Sequence, residues 1–141
     1  MVKQANLLFY LASPFTHPKQ SVRNVRANLA TAAAINLLKR NIHVFSPISY
    51  NANWSRKAGA GLPCEWPFWE VYDKNFLSRC DGFIILQVDG WVTSVGIKAE
   101  TQYAKEIGLP VFKITMADIE NGNLERIHRF IDKKNKNQEK T

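Results

Sequence analysis

Short apolar runs alternate along the chain with longer segments in which apolar residues recur every three or four positions. A polar turn follows each short run, and the length and apolar content of the runs predict buried strands. The predicted strands cover residues 7–12, 42–45, 82–88 and 110–114.

The intervening segments predict amphipathic helices. The first covers 20–40 and ends at Asn41, and its apolar stripe is Val22, Val25, Leu29, Ala33 and Leu37. The second covers 66–79, with Asp73 at the border of its buried face. The third ends at Gly108, and its apolar side is Val95, Ala99, Tyr103 and Ile107. The last covers 116–131, with a break at Asn121-Gly122.

This order of elements predicts an α/β fold in which helices cover both faces of a parallel sheet. In a doubly wound sheet of order 2-1-3-4, the first and third strands are neighbours, and ligands bind beyond their carboxyl ends. The turns at 10–17 and 89–100 are therefore expected to face one crevice. We predict a single domain over 1–132 and a basic, disordered tail over 133–141.

Between the second strand and the second helix lies a polar, glycine-bearing segment, residues 50–63. Its length is unusual in a compact domain and suggests a lid or a binding loop. Trp54 has polar neighbours and is a candidate to stack on a nucleobase. Trp66 and Trp69 flank the same loop, and core packing is the alternative for both.

The 141 residues suffice for one core and carry a formal net charge of +7. The positive charge gathers at Lys19, Arg23 and Arg26 and near the chain's end, which suits either an anionic partner or a solvated surface. No apolar run approaches the ~20 residues that span a bilayer, and no export signal is evident. Cys64 and Cys80 form no disulfide framework, which favours the cytoplasm.

Two carboxylates suit the cleavage of a glycosidic bond, which needs a nucleophile or stabilising carboxylate and a second acid or base. Glu100 lies about two turns into its helix, and Gly96, four residues earlier, leaves space for a ligand. A solvated position remains the alternative for Glu100, and helix packing remains the alternative for Asp73. Asp89 is either a sugar ligand or a turn residue. Ser94 can cap the helix and also bind a phosphate.

The chain has neither a GxGxxG motif after the first strand nor a GxxxxGK[ST] motif. His17, His43 and His128 lack the spacing of metal ligands. We therefore predict no cofactor and no metal. His17 lies in the first site turn and is a candidate phosphate contact, whereas His43, within a strand, is expected to be structural.

Three ordered motifs carry a resemblance to a known family. They are Tyr10-Leu-Ala-Ser-Pro14, Asp73-Lys-Asn-Phe-Leu-Ser-Arg-Cys-Asp81, and Ser94-Val-Gly-Ile-Lys-Ala-Glu100 followed by Gly108-Leu-Pro-Val111. Together they resemble the nucleoside 2-deoxyribosyltransferase superfamily over residues 5–114, and most nearly a small bacterial and phage branch. The superfamily also includes nucleoside 5′-monophosphate N-glycosidases.

The resemblance implies a flavodoxin-like fold, with strand order 2-1-3-4 and room for a fifth strand, and a homodimer or larger assembly. It implies that Glu100 is the nucleophile that attacks C1′, that Asp73 assists the leaving base, and that Tyr10 orients Glu100. It also implies a phosphate contact for Ser94. The first turn, Ser13-Pro14-Phe-Thr-His-Pro18, departs from a glycine-rich phosphate loop, and the segment from Trp54 to Trp66 is longer than in the monophosphate hydrolases.

The expected function is therefore hydrolysis or transfer at the N-glycosidic bond of a nucleoside or nucleotide. Ser13, Pro14, His17, Trp54, Asp89, Ser94 and Gly96 are the candidate substrate contacts. Arg23 and Arg26, with Ser94, are candidate phosphate ligands and favour a phosphorylated substrate. Two alternatives stay open: a non-catalytic nucleotide-binding module, and a basic protein that binds nucleic acid.

Overall fold

Four parallel strands form one sheet in the order β2-β1-β3-β4, which confirms the predicted strand order. The computed structural model describes residues 6–54, 61–63 and 66–139. The strands are β1 (Leu8–Ala12), β2 (His43–Phe45), β3 (Gly82–Leu86) and β4 (Val111–Ile114). In these described ranges the sheet has no fifth strand. Because β1 and β3 pair directly, with Ala12 opposite Ile85, their carboxyl ends open at the same edge.

Six helices accompany the strands in the part of the chain that the structure describes. They are α1 (Gln20–Lys39), α2 (Pro47–Asn51), α3 (Trp66–Leu77), α4 (Val95–Glu106), α5 (Met116–Asn121) and α6 (Glu125–Glu139). Asn41 at φ 61° and Gly122 at φ 73° adopt the left-handed conformation that ends a helix, as predicted at both places. No helix in the described ranges is both long and apolar enough to cross a membrane.

The short helix α2 was not predicted. It starts immediately after β2, and Ser46 caps it by accepting a hydrogen bond from the Ser49 amide at 3.2 Å. The segment expected to be a loop from residue 50 is thus helical to Asn51 and turns as far as Trp54. Residues 55–60 of that segment lie outside the described part of the chain.

Alternate side chains of β1 enter two different hydrophobic clusters. Phe9 and Leu11 pack with residues of α1, α5 and α6 on one face of the sheet. Tyr10 and Ala12 pack with residues of α3 and α4 on the other face. Helices therefore cover both faces, as predicted, and the fold is a flavodoxin-like three-layer arrangement. Because Tyr10 points toward α3 and α4, any chemistry involving it lies on that face.

The predicted apolar stripes of two helices are partly wrong. In α1, Val25 is 57% exposed, and the buried residues are Ala27, Ala30, Ala33 and Leu37. Small alanines let the helix approach the sheet closely, so they take the inner face. In α4, Val95 and Ile107 are exposed, whereas Ile97, Glu100 and Ala104 are buried. A carboxylate takes a core position there because Tyr10 provides a partner in the adjacent strand.

The basic segment after residue 132 was predicted to be a disordered tail, and this prediction is wrong as far as Glu139. These residues continue α6, which Ile127 anchors in the core. Lysine is a good helix former, and the Lys134 ammonium lies 5.8 Å from the centre of the Phe130 ring. A helix that is already nucleated by packing extends through such residues without needing apolar ones.

Candidate active site

The Tyr10 hydroxyl donates a hydrogen bond to Oε2 of Glu100 on the inner face of α4. Tyr10 is fully buried, and its ring stacks on Phe83 of β3 with centroids 5.8 Å apart. Glu100 is only 6% exposed, so the alternative that it is a solvated helix residue is wrong. The strand alternation of β1 and the helical spacing of α4 thus bring together two predicted site residues.

Asp73 is the third member of this cluster. It lies on α3, which packs beside α4, and is buried. Its Oδ1 atom has no hydrogen-bond partner among the residues that the structure describes. A buried acceptor without a partner is costly, so this oxygen is available to a ligand or to a proton.

The electrostatics of the cluster favour retention of protons. Burial raises the pKa of Asp73 to about 7, although hydrogen bonding from Tyr10 lowers it in part. Burial and the neighbouring charge of Asp73 raise the pKa of Glu100 to about 8, again against a lowering by Tyr10. Burial, followed by Glu100 and Asp73, keeps the pKa of Tyr10 well above its ordinary value. Near neutral pH the two carboxyls therefore share at least one proton.

A phenol has one hydrogen, and the hydrogen of Tyr10 is directed at Glu100. The same hydroxyl lowers the pKa of Asp73, but its single hydrogen can satisfy only one carboxylate at a time. The pKa of Glu100, about 8, lies above that of Asp73, about 7, so Glu100 holds a shared proton more firmly than Asp73 does in the ligand-free protein. Two buried carboxyls that share one hydroxyl can in principle divide the roles of general acid and nucleophile.

The β1–α1 turn begins at the carboxyl end of β1 with Ser13 and Pro14, both buried. The Ser13 hydroxyl has no hydrogen-bond partner in the described ranges. His17 is half-buried, and its Nδ1 accepts a hydrogen bond from the Lys19 amide at 3.0 Å. In the neutral ring this leaves the proton on Nε2, which can donate to a ligand.

Arg23 and Arg26 are the predicted phosphate ligands, and both hold the main chain of that turn. Arg23 donates to the carbonyl oxygens of His17 and Pro18 and to the side chain of Gln20. Arg26 donates to the carbonyl oxygen of Thr16 at 2.7 Å. The two guanidinium groups thus stabilise one wall of the crevice, a role that the sequence did not indicate.

The β3–α4 turn carries the other predicted contacts. Ser94 caps α4, as predicted, by accepting a hydrogen bond from the Ile97 amide at 3.2 Å. Its own hydroxyl hydrogen remains available at the helix N-terminus. Asp89 is exposed on the turn. The space expected above Gly96 is bordered by the Trp66 ring, because a Cβ at Gly96 would lie 3.5 Å from its Cζ3.

An aromatic cluster, which extends from Tyr10 toward the loop after α2, was not predicted beyond Trp54. Phe45 stacks on Phe76 with centroids 4.3 Å apart, and Phe45 lies 6.0 Å from Tyr10. Trp54 packs between Tyr50 and Tyr72. The Asn51 amide donates to the Tyr72 hydroxyl at 3.4 Å, and its Oδ1 has no partner in the described ranges. The spacing of Trp69, Tyr72 and Phe76 along α3 is typical of one helix face, but no local pattern predicts the contact of that face with α2.

The described residues contain no group of three or more His, Cys, Asp and Glu side chains placed to hold a metal ion. His43 lies in β2, as expected for a structural residue. Burial raises the pKa of the Cys80 thiol to about 12, so it is a poor nucleophile. Cys64 lies outside the described residues. Among these groups, the Asp73 and Glu100 carboxyls with Tyr10 are the best suited to acid–base or nucleophilic chemistry.

Comparisons with known proteins agree with the extent of this fold. No curated protein matches the sequence. One family model, described as "Domain of unknown function (DUF1937)", matches residues 8–116, from the first residue of β1 to the first of α5. The match contains the Tyr10, Asp73 and Glu100 cluster and both turns of the crevice. The chain therefore belongs to the DUF1937 family.

Proposed function

We propose that the protein cleaves or transfers the N-glycosidic bond of a nucleoside or nucleoside 5′-monophosphate. The observation that carries this proposal is the buried Tyr10 hydroxyl, which donates to Glu100 and also lowers the pKa of the neighbouring Asp73 carboxyl. The resemblance of the three sequence motifs to nucleoside 2-deoxyribosyltransferases supports the same reaction.

In the first step, the ionised Glu100 carboxylate attacks C1′ of the sugar. The bond between C1′ and the base nitrogen breaks, its electron pair leaves with the base, and Asp73 supplies a proton to the base. Glu100 then holds the sugar as an ester. Tyr10 orients the attacking carboxylate through the hydrogen bond to Oε2. The two carboxyls thereby act as nucleophile and acid, the division of roles found in retaining glycosidases.

In the second step, water or a second base attacks C1′ and displaces Glu100. With water the product is a free sugar, and the proton lost by the water returns to Asp73. With a second base the product is a new nucleoside or nucleotide, and the proton lost by the attacking nitrogen returns to Asp73. Access of water to the ester decides between hydrolysis and transfer. The positive charge that develops on the sugar favours the ionised form of Glu100, because opposite charges interact strongly in a buried site.

The walls of the crevice suit the remaining parts of a nucleotide. Trp54 and the neighbouring rings offer a stacking surface for the base. Ser13, Pro14, Asp89 and Gly96 border the place for the sugar. Ser94 at the N-terminus of α4, with His17, Arg23 and Arg26, suits a 5′-phosphate. This distribution favours a phosphorylated substrate.

The test is an assay for free base. The protein is incubated with a panel of ribo- and deoxyribonucleosides and their 5′-monophosphates, and the products are separated by chromatography. Glu100→Gln should abolish base release. Glu106→Gln removes an exposed carboxylate from the same helix and should leave base release unchanged. Full activity of Glu100→Gln would contradict the proposal.

A second candidate is a non-catalytic nucleotide-binding module. The observation that favours it is the raised pKa of Glu100, which opposes ionisation in the empty site. A binding module would be stabilised against heat by a nucleotide and would release no base from any member of the panel.

We further propose a homo-oligomer in the cytoplasm. Val71 on α3, Val92 in the β3–α4 turn and Val95 at the start of α4 are more than two-thirds exposed, which suits a self-association surface. The thiol of Cys80 is free, in keeping with a reducing compartment. Light scattering coupled to gel filtration tests the assembly, and a monomeric mass would contradict it.

A further inference from the structure

The guanidinium of Arg26 lies between the two turns that flank the crevice. Arg26 is on α1, and its Nη1 donates to the carbonyl oxygen of Thr16 in the β1–α1 turn at 2.7 Å. On its other side the guanidinium packs on Gly90 in the β3–α4 turn. A Cβ at Gly90 would lie 2.9 Å from Cζ of Arg26 and closer still to its Nη2. One side chain therefore contacts the main chain of both walls.

Gly90 is suited to this contact for two independent reasons. Its φ of 95° is a conformation that residues with a side chain rarely adopt. It also has no Cβ to displace the guanidinium. The Trp91 amide donates to the Val88 carbonyl across the same turn at 3.1 Å, which fixes the path of the chain toward Ser94. The position of Arg26 is thus matched to a turn shape that only glycine provides readily.

We infer that Arg26 is a positioning residue, which holds the β1–α1 and β3–α4 turns together through its contacts with Thr16 and Gly90. By fixing the β3–α4 turn, it fixes the start of α4 and hence the position of Glu100. Its effect on catalysis rests on the proposed function, whereas its effect on the β3–α4 turn does not. Ser94, which caps α4, comes four residues after Gly90, and Glu100 follows within the same helix. Release of the turn would therefore move the helix that carries the carboxylate, although Arg26 itself does not contact Glu100.

Arg23 provides a matched control. It lies one turn earlier on α1 and donates only to the backbone of the β1–α1 turn and to Gln20. Loss of Arg23 should loosen the first turn alone. Loss of Arg26 should loosen both. If Arg26 were only a phosphate ligand, its loss would leave hydrogen exchange in the ligand-free protein unchanged.

The experiment is amide hydrogen exchange in the full-length protein without ligand. Arg26→Ala should speed exchange over residues 88–98 several-fold, because the β3–α4 turn loses the guanidinium that packs on Gly90 and joins it to the β1–α1 turn. Arg23→Ala should leave that region at the wild-type rate. Millimolar guanidinium ion should restore slow exchange in Arg26→Ala and should have no such effect in Arg23→Ala.

Arg26→Lys covers the case in which the alanine variant fails to fold. An ammonium group can donate to Thr16 but cannot lie flat on Gly90, so exchange over 88–98 should still be faster than in the wild type. Wild-type exchange rates in Arg26→Lys, or in a folded Arg26→Ala, would overturn the inference.

If the wild type releases base, Arg26→Ala should lower kcat more than it changes KM, and a change confined to KM would also overturn the inference. If the wild type releases no base, the proposed function fails. The exchange result then still decides whether Arg26 holds the two turns together.

Discussion

Tyr10 and Glu100 are ninety residues apart in sequence, and the hydroxyl of one donates to the carboxyl of the other inside the protein core. This pairing allows an acidic residue to occupy the inner face of α4. It also makes the protonation of Glu100 depend on a residue of a different secondary-structure element. Substitutions at either end of the bond should therefore alter stability and proton affinity together.

Tyr10→Phe keeps the ring that stacks on Phe83 and removes the hydroxyl alone. We expect the free energy of unfolding to fall by about 1–3 kcal/mol, because Glu100 and Asp73 lose a buried partner. The pKa of Glu100 should rise further, since the hydrogen bond that lowers it is absent. Urea denaturation and a titration followed by NMR measure these changes. Tyr50→Phe, at a residue that is 57% exposed, is the control and should change neither quantity.

Glu100→Gln should stabilise the protein in a pH-dependent manner. The folded-state pKa of Glu100 is raised from 4.5 to about 8, so the folded protein binds more protons than the unfolded chain between these values. Stability contributed by the protonated group is therefore complete below the unfolded pKa and is lost as pH rises toward 8.

Glutamine does not ionise, so the variant avoids that loss. We expect it to exceed the wild type by about 4 kcal/mol at pH 8 and to differ little at pH 4. Denaturation curves at both pH values measure the difference. An advantage that is equal at the two pH values would contradict the raised pKa.

Gly90→Ala should destabilise the protein by about 1–3 kcal/mol, because the turn holds a positive φ and the guanidinium of Arg26 occupies the space of the new methyl group. Part of this cost should disappear in an Arg26→Ala background, where only the backbone strain remains. A double-mutant cycle measures the coupling. Additive effects of the two substitutions would show that Arg26 and Gly90 do not interact.

Gly96→Ala should have the opposite effect on stability. A Cβ there makes only ordinary contacts with Trp66 and Ser94, and alanine is favoured over glycine within a helix by up to ~1 kcal/mol. The methyl group should nevertheless narrow the crevice and weaken nucleotide binding. Thermal melting with and without nucleoside monophosphates separates these effects. A variant that is more stable and binds as tightly as the wild type would remove Gly96 from the site.

Local patterns predicted the strands and their order, and hence that the β1–α1 and β3–α4 turns open at the same edge of the sheet. They did not predict the direction of Glu100, because helical periodicity places polar residues outward unless a distant partner is known. The same reason applies to Arg23 and Arg26, whose partners are main-chain carbonyls that any residue could supply. The helical continuation of α6 was missed because apolar content says little about a segment that extends an established helix.

The two faces of the sheet make different demands on the sequence. On the Phe9 and Leu11 side an apolar cluster packs against α1, α5 and α6, whereas the Tyr10 side must also hold the buried carboxyls of Asp73 and Glu100. Amino-acid substitutions on the Phe9 and Leu11 face of the sheet should therefore be limited by side-chain volume alone. Substitutions on the Tyr10 face should be limited by side-chain volume and also by the need to keep the buried carboxyls protonated or hydrogen-bonded. The two faces of the single strand β1 are therefore subject to different constraints on substitution.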